Sequence, residues 1–188
     1  MLPSALAPSR ATRAGVPAAT RRYASVIVGA SLGIIGALAS GAAAIEAGAL
    51  AATFGVLALA SVIDLEERRI PNRLTYPAIG TALLAAVLLG DAGASVMGLA
   101  AAGGFMLLAA VVGGDQLGMG DVKLSAFAGA VLGAQAVPVF LLAGTVAGAL
   151  VAAGKLIRRR DRQATLAYGP YLSFGAAFAA LTVGTVVS

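Results

Sequence analysis

The chain has 188 residues, of which 60% are hydrophobic and only 11% are charged, and its formal net charge is +5. Soluble domains carry about 25% charged residues, so this composition excludes an ordinary soluble fold and favours a bundle of membrane-spanning helices. Histidine and cysteine are both absent, which excludes disulfides, Cys/His zinc sites, thiol catalysis and triads that rely on imidazole. Any catalytic chemistry must use carboxylates, hydroxyls, lysine or a metal bound by oxygen ligands.

The first 22 residues mix Pro, Ala, Ser and Thr with arginines, which predicts a disordered basic cytoplasmic tail (1–22). An extra N-terminal transmembrane span (23–46) and a transmembrane catalytic domain (47–188) are expected to follow. Apolar segments, most of them near the ~20 residues that cross a bilayer, lie at 23–45, 47–63, 74–90, 94–113, 122–136, 138–157 and 168–187. The sequence therefore predicts an all-α fold, a polytopic transmembrane helix bundle of six to seven spans.

The distribution of basic residues predicts the orientation of the bundle. If the N-terminus lies inside and the spans alternate, all 13 Lys and Arg residues fall inside, whereas the outer connections hold only Glu46 and Asp91. Because basic residues concentrate on the cytoplasmic side, we expect a multi-pass protein of the cytoplasmic (inner) membrane with a cytoplasmic N-terminus. The positive charge then serves topology, and nucleic acid is not an expected partner. A cleaved signal peptide within residues 1–45 is the alternative interpretation of the first span.

Two acidic residues lie where an apolar helix meets the predicted cytoplasmic face. Asp64 ends the second span and Asp121 precedes the fifth, so both lie at one level on the same side of the membrane. Ionisable residues at this depth are costly and usually functional, although Asp121 as a helix N-cap and Asp64 as a boundary residue are structural alternatives. Two close carboxylates that share one proton can activate a water, which predicts peptide hydrolysis without a metal ion or other cofactor.

The helix macrodipole predicts how this pair shares its proton. Asp121 is placed at a helix start, where partial positive charge favours the carboxylate, and Asp64 at a helix end, where charge is disfavoured. The sequence therefore predicts Asp121 as the usual ionised base and Asp64 as the usual proton carrier, a bias within a pair that titrates as a unit.

Four residues near the aspartates are predicted to shape the site. Gly118 and Gly120 permit positive φ angles and let a substrate backbone come close. Pro71 breaks the chain direction after the first aspartate, and Asn72 is a candidate cap for the third span. The loop that contains them either roofs the site or only returns the chain to the membrane.

Further polar and turn residues have two interpretations each. Lys123 either snorkels to the membrane interface or tunes the second aspartate and meets substrate. Gly169 and Pro170 mark the turn into the last span, as part of the site or as structure alone. Glu66 and Glu67 are interpreted as solvated loop charges.

With these motifs, the chain resembles the type IV prepilin peptidases, membrane aspartic proteases of the glycine-x-glycine-aspartate type. Three elements between about residue 50 and residue 187 carry the resemblance: Asp64 with Ile70-Pro71-Asn72-x-Leu74-Thr75, then Gly118-Met119-Gly120-Asp121-Val122-Lys123-Leu124, and finally Tyr168-Gly169-Pro170. The resemblance implies that the two aspartates are catalytic. It also implies cleavage, on the cytoplasmic side and after a glycine, of a basic leader just before the apolar helix of a pilin-like precursor.

Members of that family that also N-methylate the new amino terminus carry a large cytoplasmic region near the chain start, often with four cysteines. Here the connection between the first two predicted spans is about residues 45–47, and cysteine is absent. The resemblance therefore implies a short form with peptidase activity and without methyltransferase activity. The expected partners are a prepilin or pilin-like precursor with a basic leader and an apolar helix, and the lipid bilayer.

Two other functions stay open from the residues alone. The same two aspartates would serve a proton- or cation-coupled transporter, and a non-catalytic assembly factor of a pilus or secretion apparatus would also be a polytopic membrane protein. Transporters often contain related halves, and the chain shows no internal repeat. The absence of a repeat favours the peptidase interpretation.

Overall fold

The computed structural model describes residues 17–40, 44–113, 117–159 and 167–186. Within these residues the chain forms helices and no strands, so the all-α prediction is confirmed. The helices are α1 (Ala18–Ser40), α2 (Ala44–Glu67), α3 (Asn72–Leu89), α4 (Ala92–Gly113), α5 (Met119–Leu132), α6 (Val137–Arg159) and α7 (Gly169–Thr182).

Four of these helices are long and apolar enough to cross a membrane, namely α2 from Gly48, α3, α4 and α6 up to Lys155. The helices α5 and α7 have 14 residues each. At 1.5 Å per residue such a helix extends about 21 Å, which is shorter than a hydrocarbon core of about 30 Å. The total of six to seven spans therefore stays a prediction.

Neighbouring helices pack as pairs, α1 with α2, α4 with α5 and α6 with α7. Contacts of α2 with α7 and of α5 with α7 join these pairs into one bundle, and α3 packs against α5. The end of α2 meets the beginning of α7 through a hydrogen bond from Gly169 to Asp64, and the beginnings of α3 and α5 meet through Asn72 and Lys123. One end of the bundle therefore collects the residues that the sequence marks as candidates for chemistry.

Small residues allow the helices to approach closely in the middle of the bundle. A Cβ on Gly98 of α4 would overlap the backbone of Gly129 on α5, and a Cβ on Gly129 would overlap the backbone of Gly98. A Cβ on Gly144 of α6 would lie 3.1 Å from the carbonyl oxygen of Tyr171 on α7. In lipid, such contacts of small residues are a main source of helix association.

The first helix begins earlier than the hydrophobicity pattern predicts. It starts at Ala18, so residues 18–22, which were assigned to the disordered tail, are helical. The rest of the predicted tail, residues 1–16, lies outside the described residues.

Ion pairs between α1 and α2 account for this early start. The Nε atoms of Arg21 and Arg22 each lie 3.1 Å from a carboxylate oxygen of Glu66, and Arg22 also pairs with Glu67. The side chain of Glu66 is 17% exposed, and both acidic residues lie within α2. Neither residue lies in a loop as predicted, because α2 continues for one turn beyond Asp64. Glu67 is solvent-exposed as predicted, whereas Glu66 is mostly buried against α1.

Candidate functional site

Asp64 and Asp121 line one pocket at the end of the bundle described above. Asp64 lies in the last turn of α2 and is 6% exposed, and Asp121 lies in the first turn of α5 and is 9% exposed. The pocket has a volume of about 250 Å³, and its lining residues are Asp64, Arg68, Arg69, Ile70, Asn72, Gly118, Met119, Gly120, Asp121 and Lys123. Two buried carboxyl groups from distant parts of the chain thus face the same space.

The carboxyl group of Asp64 is held by the beginning of α7. Its Oδ2 accepts a hydrogen bond of 2.8 Å from the backbone N–H of Gly169, the first residue of that helix. A Cβ at position 169 would lie 2.9 Å from Oδ2 and 3.1 Å from the Cβ of Asp64, so only glycine leaves room for this contact. The partial positive charge at the start of α7 stabilises negative charge at Asp64.

The carboxyl group of Asp121 has a different environment. Its residue is the third of α5 and follows the N-cap Gly118, so it is not itself the N-cap. The side chain accepts a hydrogen bond from the Gly118 backbone, whereas Oδ1 is buried without a hydrogen-bond partner among the described residues. Asp121 lies outside the four candidate spans. Burial, with the neighbouring charge of Asp64 as a second cause, raises the pKa of Asp121 to about 7 against the lowering effect of the Gly118 hydrogen bond.

These contacts favour the reverse of the predicted proton assignment. The predicted bias considered only the helix on which each aspartate lies. In the folded chain the start of α7 is brought to Asp64, while burial outweighs the α5 macrodipole at Asp121. Asp64 is therefore the better placed of the two to carry a negative charge, and Asp121 to carry a proton.

The two predicted site-shaping glycines of α5 do not adopt positive φ angles. Gly118 has φ −73° and ψ 143°, and the described glycines with positive φ are Gly90, Gly133 and Gly184. A close approach gives the reason for Gly120, since a Cβ there would lie 3.0 Å from the Cβ and 3.3 Å from the N atom of Ile70. At Gly118 a Cβ would meet Asp121 Oδ2 at 3.5 Å, which is an ordinary contact.

Lys123 and Asn72 join α5 to α3 beside the pocket. Lys123 Nζ donates a hydrogen bond of 2.7 Å to Asn72 Oδ1 and lies 4.8 Å from the centre of the Tyr76 ring. The N-cap of α3 is Pro71, so the prediction that Asn72 caps this helix is wrong. The amide is instead used as the acceptor that fixes the lysine at the rim.

The two prolines predicted to shape the site act on the backbone. Pro71 is extended, with φ −73° and ψ 140°, and its carbonyl oxygen accepts hydrogen bonds from the N–H groups of Leu74 and Thr75. Pro170 lies in the first turn of α7, where its missing N–H costs nothing. Neither proline is among the pocket residues. Their part in the site is to orient the starts of α3 and α7.

Four residues of the pocket lining were not predicted as site residues, although the last two belong to the motifs that carry the resemblance: Arg68, Arg69, Ile70 and Met119. Arg68 has a positive φ of 52° at the end of α2, which turns the chain back over the aspartate, and its backbone N–H donates to the Asp64 carbonyl oxygen. A signal was present in the sequence, because Arg68 lies one helical turn after Asp64 and Met119 lies between the two motif glycines.

No group of three or more Asp or Glu residues comes together as a metal site in the described part of the chain. The expectation that no metal ion or other cofactor takes part stays a prediction.

Comparison with known proteins relates the chain to one protein family. A model of the type IV leader peptidase family matches residues 51–153, which is more than half of the chain and includes both aspartates but not Gly169. No solved structure matches the chain.

Similar proteins carry the name prepilin leader peptidase/N-methyltransferase. The one from Pseudomonas putida is 36% identical over 169 residues, which are 85% of this chain and 58% of the relative. That from Aeromonas hydrophila is 32% identical over 126 residues, 63% of this chain and 43% of the relative, and that from Escherichia coli (strain K12) is 34% identical over 124 residues, 61% and 54%. The chain spans about half the length of the curated relatives it matches. With its four candidate spans and the family match over most of the helical bundle, it is a multi-pass membrane protein that belongs to the type IV leader peptidase family.

Proposed function

We propose that this protein is an aspartic endopeptidase that removes the basic leader of prepilin-like precursors. The observation that carries the proposal is the single pocket in which Asp64 and Asp121, each more than nine-tenths buried, are exposed to the same space. Relatives named prepilin leader peptidase/N-methyltransferase support the substrate class. Among the described residues, these two are the only buried acidic ones, so the pair is the natural source of acid–base chemistry.

The contacts of the two carboxyl groups define their roles in this mechanism. Asp64, held as a carboxylate by the Gly169 N–H, takes a proton from the attacking water, and protonated Asp121 donates its proton to the carbonyl oxygen of the scissile bond. The resulting diol loses its proton to the Asp121 carboxylate as the C–N bond breaks. The proton on Asp64 passes to the leaving amine, which restores the original states of both groups.

The rim of the pocket supports cleavage at the cytoplasmic face. Arg68, Arg69 and Lys123 line the pocket, and Arg73 follows the pocket residue Asn72 at the start of α3. Basic residues at a helix end favour the cytoplasmic side, which is the inner-membrane orientation expected from the sequence. In this orientation a precursor presents the start of its apolar helix, and hence the bond after its glycine, at the level of the two aspartates.

We also propose that the reaction ends at cleavage, without methylation of the new amino terminus. The absence of cysteine from the chain supports this proposal, as does the short connection from Ser40 to Ala44 between α1 and α2. Mass spectrometry of the processed product would decide the matter. An added methyl group on the new N-terminus in a strain that lacks other leader peptidases would contradict the proposal.

The decisive experiment is co-expression of the protein with a precursor that has a basic leader, a glycine and about 20 following apolar residues. Wild type, Asp64→Asn and Asp121→Asn are compared by the size of the processed product. Asparagine keeps the shape of aspartate but cannot exchange the proton, so each variant is expected to reduce processing by at least about a thousandfold.

The matched control is Asp91→Asn, which changes an exposed aspartate at the opposite end of α3 and α4 and should process the precursor at the wild-type rate. All three variants should reach the membrane in equal amounts. Processing by Asp64→Asn or Asp121→Asn at the control rate would remove that residue from the mechanism. An uncleaved precursor with wild type would favour the transporter or assembly-factor alternatives.

A further inference from the structure

Four hydroxyl side chains are buried in the described part of the chain, and they differ in their hydrogen bonds. Thr53 and Ser95 donate to backbone carbonyl oxygens at 2.8 and 2.7 Å. Thr75 and Ser125, which are 1% and 0% exposed, have no hydrogen-bond partner among the described residues. Since buried polar groups are nearly always paired with protein or with ordered water, the two unpaired hydroxyls indicate a bound ligand.

A third unpaired polar atom lies on the same helix as Ser125. Asp121 Oδ1 is buried without a hydrogen-bond partner, and it belongs to the residue four positions before Ser125 on α5. Residues four apart lie on one face of a helix, one turn above the other. The face of α5 below the pocket thus carries two unpaired polar groups in succession.

Thr75 lies in the first turn of α3, a helix that packs against α5. The starts of the two helices are fastened together by Lys123, which donates to Asn72 and lies over the ring of Tyr76. Thr75 lies between these two residues in the chain and is fully enclosed, whereas Asn72 and Tyr76 are exposed. The threonine therefore lies on the inner side of the turn that contacts the start of α5.

Along the chain, the two hydroxyls also lie between residues that line two different cavities. Towards the bundle end, Asn72 and Asp121 line the pocket of about 250 Å³. Deeper in the bundle, a second cavity of about 190 Å³ is lined by Ala49, Ala52, Thr53, Val56, Thr81, Ala82, Ala85, Phe127 and Val131. Along both α3 and α5, the unpaired hydroxyl thus comes after the pocket residue and before the deeper cavity.

We propose that Thr75, Ser125 and Asp121 Oδ1 bind one buried water molecule beneath the pocket, and that this water holds the Asp121 carboxyl in place. Three partners are the usual number for a buried water, and two hydroxyls and a carboxyl group offer both donors and acceptors. Thr75 and Ser125 are then positioning residues, which act through the water on Asp121. The water site rests on the three buried, unpaired atoms and their places on α3 and α5, while its effect on cleavage rests on the proposed function.

The first test compares variants that differ in one hydroxyl. Thr75→Val keeps the shape of threonine and Ser125→Ala removes one oxygen, so each should lower kcat/KM for precursor cleavage by about tenfold or more. Thr75→Ser restores the hydroxyl and should recover most of the activity. Thr53→Val is the matched control, since its buried hydroxyl is already paired with a backbone carbonyl, and it should cleave at the wild-type rate.

The pH profile separates a positioning role from a structural one. The charged groups that face Asp121 across the pocket are Asp64, Arg68, Arg69 and Lys123, and none of these changes in the variants. Loss of a hydrogen bond that favours the charged form raises the pKa of Asp121, so the limb on which activity falls with rising pH should move to higher pH. An equal movement of this limb with Thr53→Val would overturn the proposal.

A measurement without substrate tests the water site directly. Infrared difference spectroscopy on the purified full chain in detergent identifies the carbonyl stretch of protonated Asp121 as the band that Asp121→Asn removes. The band should move to higher wavenumber in both Thr75→Val and Ser125→Ala, because the carboxyl group loses a hydrogen bond, and not in Thr53→Val. An unmoved band in either variant would overturn the water site even if the precursor is cleaved. A moved band without any cleavage by wild type would retain the site and refute the proposed function.

Discussion

The two halves of α5 differ in how the burial of their residues affects the free energy of folding. In its first turn, α5 buries the carboxyl group of Asp121 with one oxygen unpaired among the described residues. Two turns later, Gly129 packs backbone to backbone against Gly98 of α4, and the neighbouring buried hydroxyl of Ser95 is paired with the carbonyl oxygen of Ala130. The packed half stabilises the bundle, while the first turn keeps a group whose charging is unfavourable. One short helix thus combines a stabilising contact with a destabilising residue that the proposed chemistry needs.

The largest expected effect is the pH dependence of the free energy of unfolding, which Asp121 in the first half of α5 should cause. The pKa of Asp121 is about 7 in the folded protein, against about 4 for an ordinary aspartate. The folded chain therefore binds more protons than the unfolded chain between these pH values, and wild-type stability should fall as pH rises from about 4 to about 7. Asp121→Asn removes this loss and should be more stable than wild type by about 2 to 4 kcal/mol at pH 8.

Unfolding of the purified protein in detergent, followed by circular dichroism at pH 5 and pH 8, measures this difference. Asp91→Asn, at an exposed position, should keep the wild-type dependence on pH. If Asp121→Asn is less stable than wild type at pH 8, then the buried Asp121 does not destabilise the folded protein as we expect.

The next effect concerns the stabilising half. A Cβ at position 129 would overlap the carbonyl group of Gly98 and the Cβ of Ala102, so the two helices would have to move apart. Gly129→Ala should therefore destabilise the protein by about 3 kcal/mol, measured by the same unfolding experiment. Gly104→Ala adds a Cβ to α4 where nothing lies within 4 Å, and it should be neutral or slightly stabilising. An equal decrease in the free energy of unfolding for Gly129→Ala and Gly104→Ala would show that the close contact between α4 and α5 does not cause the destabilisation.

A smaller effect, on precursor cleavage, should distinguish the two glycines at the start of α5. Gly120→Ala places a Cβ 3.0 Å from the Cβ of Ile70 and should push the α2–α3 connection away from the pocket. Precursor cleavage should fall about tenfold, or about 1.4 kcal/mol in transition-state free energy. Gly118→Ala meets only an ordinary contact at 3.5 Å and should stay within about threefold of wild type. The reverse order of these two variants would show that the spacing to Ile70 does not matter.

The smallest effect concerns the link from α5 to α3. Lys123 and Asn72 form a charge-assisted hydrogen bond of 2.7 Å near the surface, where solvent screens the interaction. A double-mutant cycle with Lys123→Met and Asn72→Ala should give a coupling free energy of about 0.5 to 1 kcal/mol in unfolding experiments. A coupling free energy of zero would leave the ring of Tyr76 as the main partner of the lysine.

Periodicity and composition predicted the helices well, because apolar runs and their polar boundaries are local properties of the chain. The predicted boundary near Pro138 lies one residue from the start of α6 at Val137. The segments at 122–136 and 168–187 were predicted too long, since α5 ends at Leu132 and α7 at Thr182. At α1 and α2 the error has a tertiary cause, because a distant partner changes the helix end. Arg21 and Arg22 pair with Glu66 and Glu67, so α1 starts before its apolar run and α2 continues beyond Asp64.

For the candidate site, the sequence predicted the two aspartates but not the contacts that other helices make around them. Asp64 and Asp121 were selected because charged residues at membrane depth are expensive, and that cost is visible in the sequence. The packing of Gly120 against Ile70 was not predicted, because Ile70 lies on another segment and no property of the Gly-x-Gly run reveals the contact. Likewise, the use of Asn72 as an acceptor for Lys123 depends on two helices that are distant in the chain.

The sequence by itself determined an all-helical membrane protein with two acidic residues at helix ends, since hydrophobicity and charge act over a few neighbouring residues. Only the tertiary structure decided which of the two carboxyl groups is better placed to carry the charge. It brings the N–H of Gly169 and the start of α7 to Asp64, and it leaves Asp121 Oδ1 buried and unpaired among the described residues. The electrostatic environment of each carboxyl group depends on groups from other helices, and their positions follow from packing.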